Sequence, residues 1–456
     1  MTEQQTAARS MLVAFRAENV RSFKEPIEFS LEATAVAEQD VPRELPWRED
    51  GRSSVRVLPV AAVFGSNASG KTNLLRVMDD MRRLVATTYR PPKERLRNKR
   101  RIYRPPFRLD PEYEKRPSRY EVEVIIDGIR HEYGFEVTDT EVISEWAIRY
   151  TRGRPYTIFR RDESGKIKIP SRSSAKAQVI KEITGKDSLV LTAAGGVDYE
   201  ELRPLNNWFD QNLTFCAASS REARWTYTAK MLENPDMRQE VLELVQIADL
   251  GITNARAHQP DPEVMERVRK AVEMLREPED EADSFNIEVD SFLALSLSHK
   301  GTSGRSIELD SSEESLGTMV WLGMIGPVLD ALRSGSVLLA DELESSLHPT
   351  LVSNLVTIFQ SKYSNPNGAQ LIFNSHEARL LGNSDLDRII GRDQAWFVEK
   401  RNDGSSHLYP LTDLNPRKSE AIARRYMDGR YGATPLVSSA AFKALAARVS
   451  TGVENQ

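Results

Sequence analysis

Residues 65–72 read Gly65-Ser66-Asn67-Ala68-Ser69-Gly70-Lys71-Thr72, which meets G-x-x-x-x-G-K-[ST] at every fixed position. The preceding residues 56–64 (RVLPVAAVF) form a short apolar run, as expected of a strand buried on both faces. Residues 73–85 follow with Leu74, Leu75, Met78, Met81 and Val85 at helical spacing. A strand, a glycine turn and a helix in that order make an anion cradle. Gly65 and Gly70 permit backbone angles that turn N–H groups inward, and the helix N-terminus adds its dipole. Ser66, Asn67, Ala68, Ser69 and Asn73 complete the cradle. Lys71 would meet β- and γ-phosphates, and the Thr72 hydroxyl would serve Mg²⁺.

Three later segments add chemistry. The apolar strand SVLLA ends in Asp341 and Glu342. Acidic residues often end strands. After a phosphate loop, however, Asp341 would hold Mg²⁺ through water and Glu342 would orient or deprotonate an attacking water. His376 follows the strand AQLIFNS, 34 residues beyond Glu342. It reads either as an exposed loop histidine or as a side chain reaching a γ-phosphate from the edge of a parallel sheet. Ser315 and Gly317 open the apolar helix TMVWLGMIGPVLDAL. They read either as an ordinary N-cap or as an anion site.

The chain around these motifs is long and mixed. Its 456 residues suggest two or three folding units, or one large domain with insertions. Residues 1–10 read as a tail, with Met11 a possible biological start. Residues 11–90 hold two short N-terminal strands and the phosphate loop. Residues 91–119 are a basic insertion. Residues 120–175 alternate apolar and polar side chains around Asp127-Gly128, the signature of antiparallel hairpins. Residues 176–300 read as a helical lobe, with the strand-like stretch FLALSLSHK at its end (292–300) and SIELD (306–310) after it. One stripe is Val241, Leu244, Val245 and Ala248; another runs from Val264 to Leu275. The acidic stretch 277–283 reads as an exposed loop. Residues 301–415 alternate strand and helix, implying a mostly parallel, helix-covered sheet. Residues 416–456 form a C-terminal tail. The expected class is α/β: a parallel core sheet with an antiparallel hairpin lobe and an inserted helical lobe.

Charge and cysteine content narrow the setting. With 62 basic and 67 acidic residues the net charge is −5, unlike a basic nucleic-acid tail or a polyacidic chain. The lone Cys216 can form no intrachain disulfide and fits a reducing, cytoplasmic setting. The most apolar stretch, residues 317–329, is shorter than the roughly 20 residues a spanning helix needs.

The motif order resembles ABC-type ATPase heads of the SMC, RecF and OLD kind. Lys71 and Asp341 lie 270 residues apart, which suits that two-lobed head. The resemblance implies ATP and Mg²⁺ as ligands and ATP hydrolysis as the activity. Lys71, Glu342 and His376 become the catalytic residues, and Thr72 and Asp341 the metal-binding pair. Ser315 and Gly317 match the signature motif, which contacts nucleotide held by a second subunit and so implies a homodimer or higher oligomer. Here Glu-Ser-Leu-Gly-Thr replaces Leu-Ser-Gly-Gly-Gln, and no Q-loop glutamine can be assigned. Residues 345–349 match the D-loop.

A narrower similarity is to RloA-like bacterial AAA/ABC ATPases. It rests on residues 15–23 and 341–349, and above all on 392–400 and 429–435. The ATPase of PARIS-type systems has a related layout. This family is associated with restriction loci, abortive infection and phage defence, often beside a separate Toprim-type nuclease effector. The alternative is a DNA-repair or recombination ATPase like RecF. A self-contained OLD-type nuclease is disfavoured, because only 80 residues follow His376. One patch lies outside these motifs. Residues 90–108 carry nine Lys/Arg and one Glu, with Tyr103 and Phe107 interleaved. They read either as a nucleic-acid or phage-protein contact or as a solvated insertion.

Overall fold

The computed structural model describes residues 10–89, 101–259 and 293–451, except 38–39, 47–53, 152–153, 171–174, 249, 303, 385–386 and 435–437, together with 263, 265, 266 and 270. Most of the Val264–Leu275 stripe, the acidic stretch 277–283 and the basic residues 90–100 lie outside the described residues.

A six-stranded sheet carries the phosphate loop. Its order is Leu213–Cys216, Val337–Ala340, Gln370–Ser375, Val60–Gly65, Ala395–Lys400 and Ser406–Pro410. The first five strands are parallel and the last is antiparallel. Val60–Gly65 is buried throughout, as its unbroken apolar run requires. Alternation persists inside that run. Ala61 and Val63 join a core with Leu74 and Met78, while Val60, Ala62 and Phe64 join another with Val352 and Leu355. Helices therefore cover both faces: Lys71–Thr87 on one, Leu316–Ser334 and Pro349–Gln360 on the other. The expected α/β class with a mostly parallel core sheet is what the chain adopts.

The antiparallel sheet has seven strands: Ile167–Lys168, Arg154–Arg161, Val142–Thr151, Ile129–Val137, Ser118–Ile126, Ser10–Glu18 and Ile27–Ser30. The Asp127-Gly128 turn forms with positive φ at both residues, 49° and 75°, the geometry that matches strand twist. The N-terminal strands join this sheet, with Ser10–Glu18 lying beside Ser118–Ile126.

Three local expectations are corrected. Residues 56–64 are not one strand: Ser54–Val57 pairs with Arg43–Pro46, and a new strand starts at Val60 after Pro59. Residues 176–300 are not purely helical. They include two strands that the reading missed: Leu213–Cys216, at the edge of the parallel sheet, and Ile252–His258, which pairs with the expected strand Ala294–Lys300 and through it with the expected Ser306–Asp310. Ser10, expected in the tail, begins a strand. Among the described residues no helix is long and apolar enough to cross a membrane. Cys216 is buried, and burial pushes its thiol up to about 11.

Candidate active site

The C-terminal ends of three adjacent parallel strands deliver the chemical groups. Val60–Gly65 runs into the phosphate loop, Val337–Ala340 into Asp341 and Glu342, and Gln370–Ser375 into His376. Ligands of open parallel sheets bind at this edge. A cleft of about 840 Å³ opens there, with Asn67, Ala68, Ser69, Gly70, Lys71, Thr72 and Asn73 on its floor, and Glu342, Asn374 and His376 on its wall. Gly65 and Ser66 face an adjoining cleft of about 750 Å³, which His376 and Tyr426 also line.

The loop geometry explains its two glycines. Gly70 has φ 115°, and a Cβ there would lie 2.2 Å from Ser406 Oγ. A Cβ on Gly65 would lie 2.4 Å from the carbonyl of Val398 on the neighbouring strand. Lys71 Nζ donates to the carbonyls of Gly65 and Ser66, at 2.9 and 3.0 Å, so the ammonium is folded back over the loop. Burial lowers its pKa to about 8, against the opposing pull of Glu344, Glu342 and Asp341. Ser69 Oγ is buried inside the loop with no partner among the described atoms.

Beneath the loop three side chains interlock. Thr72 Oγ1 donates to Asp341 Oδ1 at 2.8 Å. Asn374 Nδ2 donates to the same oxygen at 2.6 Å and lies 3.2 Å from Thr72 Oγ1. Asn374 Oδ1 accepts the backbone N–H of Glu342. Glu342 takes φ 52°, a sharp turn directly after the strand, and its side chain is exposed on the cleft. Glu344 accepts the backbone N–H of His376. Burial, and then Lys71, hold the His376 imidazole below its usual range. Among the described residues no group of three His, Cys, Asp or Glu could hold a metal alone. The hydroxyl of Thr72 and the carboxylate of Asp341 are hard oxygen donors. They fit Mg²⁺, which keeps waters and leans on substrate phosphates.

The structure thus brings the phosphate-loop residues, Asp341, Glu342 and His376 together. Ser315 and Gly317 stand apart from the cleft in the same chain. Ser315 is exposed and caps the helix Leu316–Ser334, its Oγ accepting from Thr318 N at 3.1 Å. A Cβ on Gly317 would lie 2.6 Å from the carbonyl of Ser346, in the loop after Asp341. Sequence reasoning missed Asn374 and Glu344, although Asn374 lies in the AQLIFNS stretch that leads into His376. The two segments that mark the narrower similarity pack together. Phe397 stacks on Tyr426 and Tyr431, with centroids 5.3 and 6.0 Å apart. Pro435 lies outside the described residues.

Fold and site define a P-loop nucleotide-binding protein built on a parallel sheet. Residues 60–382, more than half of the chain, match the family described as "AAA domain, putative AbiEii toxin, Type IV TA system", and the chain belongs to that AAA ATPase family. No curated protein matches the sequence. Solved structures similar to it include the Smc head bound to the C-winged helix domain of ScpA, at 12% identity over 88% of this chain and 99% of that one, TM-score 0.40. The SMC head domain from Thermotoga maritima is 13% identical over 88% and 98%, TM-score 0.34. The Smc head domain with coiled coil and joint from Pyrococcus yayanosii is 9% identical over 92% and 99%, TM-score 0.37.

Proposed function

We propose that this protein hydrolyses ATP between two of its own copies and serves as the nucleotide-driven switch of a bacterial anti-phage system. In that system it holds or frees a separately encoded effector, such as a Toprim-type nuclease. The observation that carries the enzymatic part is the Thr72–Asp341–Asn374 knot under the phosphate loop, with Glu342 and His376 on the same cleft.

Each residue has a definable task. Lys71 exchanges the Gly65 and Ser66 carbonyls for phosphate oxygens, and these charge-assisted bonds are stronger than the neutral ones lost. Thr72 and Asp341 would hold Mg²⁺, which when bound neutralises phosphate charge. Asn374 orients Asp341 and, through the Glu342 N–H, sets the chain direction from which the Glu342 carboxylate projects. That carboxylate aligns a water for in-line attack on the γ-phosphorus and accepts its proton as the bond to the leaving ADP oxygen breaks. The neutral His376 imidazole donates a hydrogen bond to the γ-phosphate. Ser315 and Gly317 of a second copy complete the site. ATP then contacts both copies only when they are closed, so binding favours closure and hydrolysis releases it.

The defence assignment draws on the family description, with its toxin–antitoxin association, and on the RloA-like segments at 392–400 and 429–435. We place the protein in the cytoplasm, with its effector encoded nearby. The test is Glu342→Gln. Turnover should fall about 100-fold to 10,000-fold while ATP binding persists. The ATP-bound protein should accumulate as an assembled species by light scattering, and it should retain the neighbouring gene product. Native turnover in this variant would remove Glu342 from its role. ATPase activity stimulated by DNA in a salt-sensitive way would favour the repair reading instead.

A further inference from the structure

The phosphate loop occupies only part of the 840 Å³ cleft. The remainder is walled by Arg21, residues 103 and 105–109, Lys400 and Gly404. This wall lies on the side of Ser22, whose Oγ accepts from Asn73 Nδ2 at 2.8 Å just beyond Thr72. Glu342 and His376 stand at the γ-phosphate end. The wall therefore faces the end of the triphosphate that carries the nucleoside.

Residues 103–108 belong to the basic, aromatic-interleaved stretch noted in the sequence and Leu109 follows it; their side chains divide between core and cleft. Arg104 and Phe107 are buried anchors, 7% and 2% exposed. The Arg104 guanidinium donates to the carbonyls of Arg116 and Glu114 at 2.9 and 2.7 Å. The Phe107 N–H donates to Asn19 Oδ1 at 3.1 Å. Between them the Pro105 carbonyl accepts the Arg21 N–H at 2.6 Å. Two consecutive prolines stiffen the same stretch. Tyr103 and Leu109 point the other way, 62% and 66% exposed, on a cleft wall that is itself pinned. Leu109 is further fixed against the turn after Lys400, where a Cβ on Gly404 would lie 2.5 Å from Leu109 Cδ1.

A large aromatic ring and an aliphatic flank, carried on a pinned stretch of chain beside a triphosphate cradle and flanked by Arg108 and Lys400, suit a planar base joined to an anionic chain. We propose that residues 103–109 form the nucleobase subsite, with the Tyr103 ring as the stacking surface and Leu109 as its apolar flank. Stacking needs only the π-face of the base, and a ring on a pinned backbone has only its own two side-chain torsions to fix on binding it. This rests on the nucleotide-binding reading above and adds where the base goes. It also turns the exposed aromatic of the basic stretch from a partner-contact residue into a ligand contact.

The experiment compares Mg²⁺-ATP with Mg²⁺-tripolyphosphate, which lacks base and sugar, by calorimetry on the full chain. The unmodified protein should bind ATP more tightly. Tyr103→Ala should weaken ATP about 10-fold and leave tripolyphosphate unchanged, and Tyr103→Phe should restore ATP. Because Tyr103 is exposed, its truncation leaves the core intact. Equal affinity of the unmodified protein for both ligands, or a Tyr103→Ala variant that binds ATP normally or loses both ligands equally, overturns the subsite alone. An unmodified protein that binds neither ligand overturns the nucleotide reading beneath it.

Discussion

The floor of the cleft and the helix start at Ser315 are built by opposite means. The floor is tied by bonds between residues far apart in sequence: Thr72 to Asp341 across 269 positions and Asn374 to Thr72 across 302. Ser315 uses its hydroxyl three residues away on Thr318 and lies exposed. A floor closed by long-range bonds is preorganised, so it can bind without reordering. A helix start satisfied by its own cap costs little to leave facing solvent. The difference teaches that triphosphate affinity should reside in the floor, and assembly-dependent turnover in the helix start. The loop that follows Asp341 nonetheless reaches the helix start within one chain, since a Cβ on Gly317 would lie 2.6 Å from the Ser346 carbonyl. A change after Asp341 therefore presses on the helix start directly.

The largest expected effect tests the first half of that division. Lys71→Ala removes the ammonium that bonds the loop carbonyls, and ATP affinity should fall at least about 100-fold by calorimetry. Native affinity would mean that the floor does not own the binding. The next effect tests the second half. In Ser315→Ala, turnover at high protein concentration should fall about 100-fold, as when one donor to a developing anion is lost. ATP binding to the dilute chain should stay unchanged. Equal loss of binding and turnover would show that Ser315 acts on its own chain's nucleotide and would break the comparison.

A smaller effect concerns a residue that the sequence did not single out. Asn374→Ala should destabilise the nucleotide-free protein by about 1–3 kcal/mol in urea unfolding, because Asp341 Oδ1 and the Glu342 N–H each lose a buried partner. Unchanged stability would mean that the knot is not preorganised. The reason Asn374 escaped notice is physical. The phosphate loop is legible because its chemistry lies in eight consecutive residues, and Asp341, Glu342 and His376 because each follows an apolar strand. Asn374 matters only because Gln370–Ser375 lies beside Val337–Ala340, and strand order is a property of the whole sheet. The same holds for Leu213–Cys216, whose four residues carry too little periodicity to mark a strand amid helices. Tyr103 and Phe107 look alike in sequence, and only tertiary packing leaves the first exposed and buries the second.

The smallest effect sharpens what the floor stores. Burial holds Lys71 at about 8, below its usual 10.5. Between those values the unfolded chain binds a proton that the folded chain does not. The nucleotide-free protein should therefore gain stability from this group as pH rises from about 8 toward 10.5. ATP binding should move in the opposite sense, since phosphate needs the ammonium, and affinity should decline above about pH 8. His376, held below its usual range, stays neutral throughout and contributes to neither trend. Melting temperature and ATP affinity measured from pH 7 to 10, each compared with Lys71→Met, isolate the lysine from other titrating groups. Diverging trends in the unmodified protein that flatten in the variant mean that the floor is held partly discharged until phosphate arrives. Parallel curves in the two proteins would mean that the folded-back ammonium remains fully charged, and that the preorganised floor keeps no such reserve.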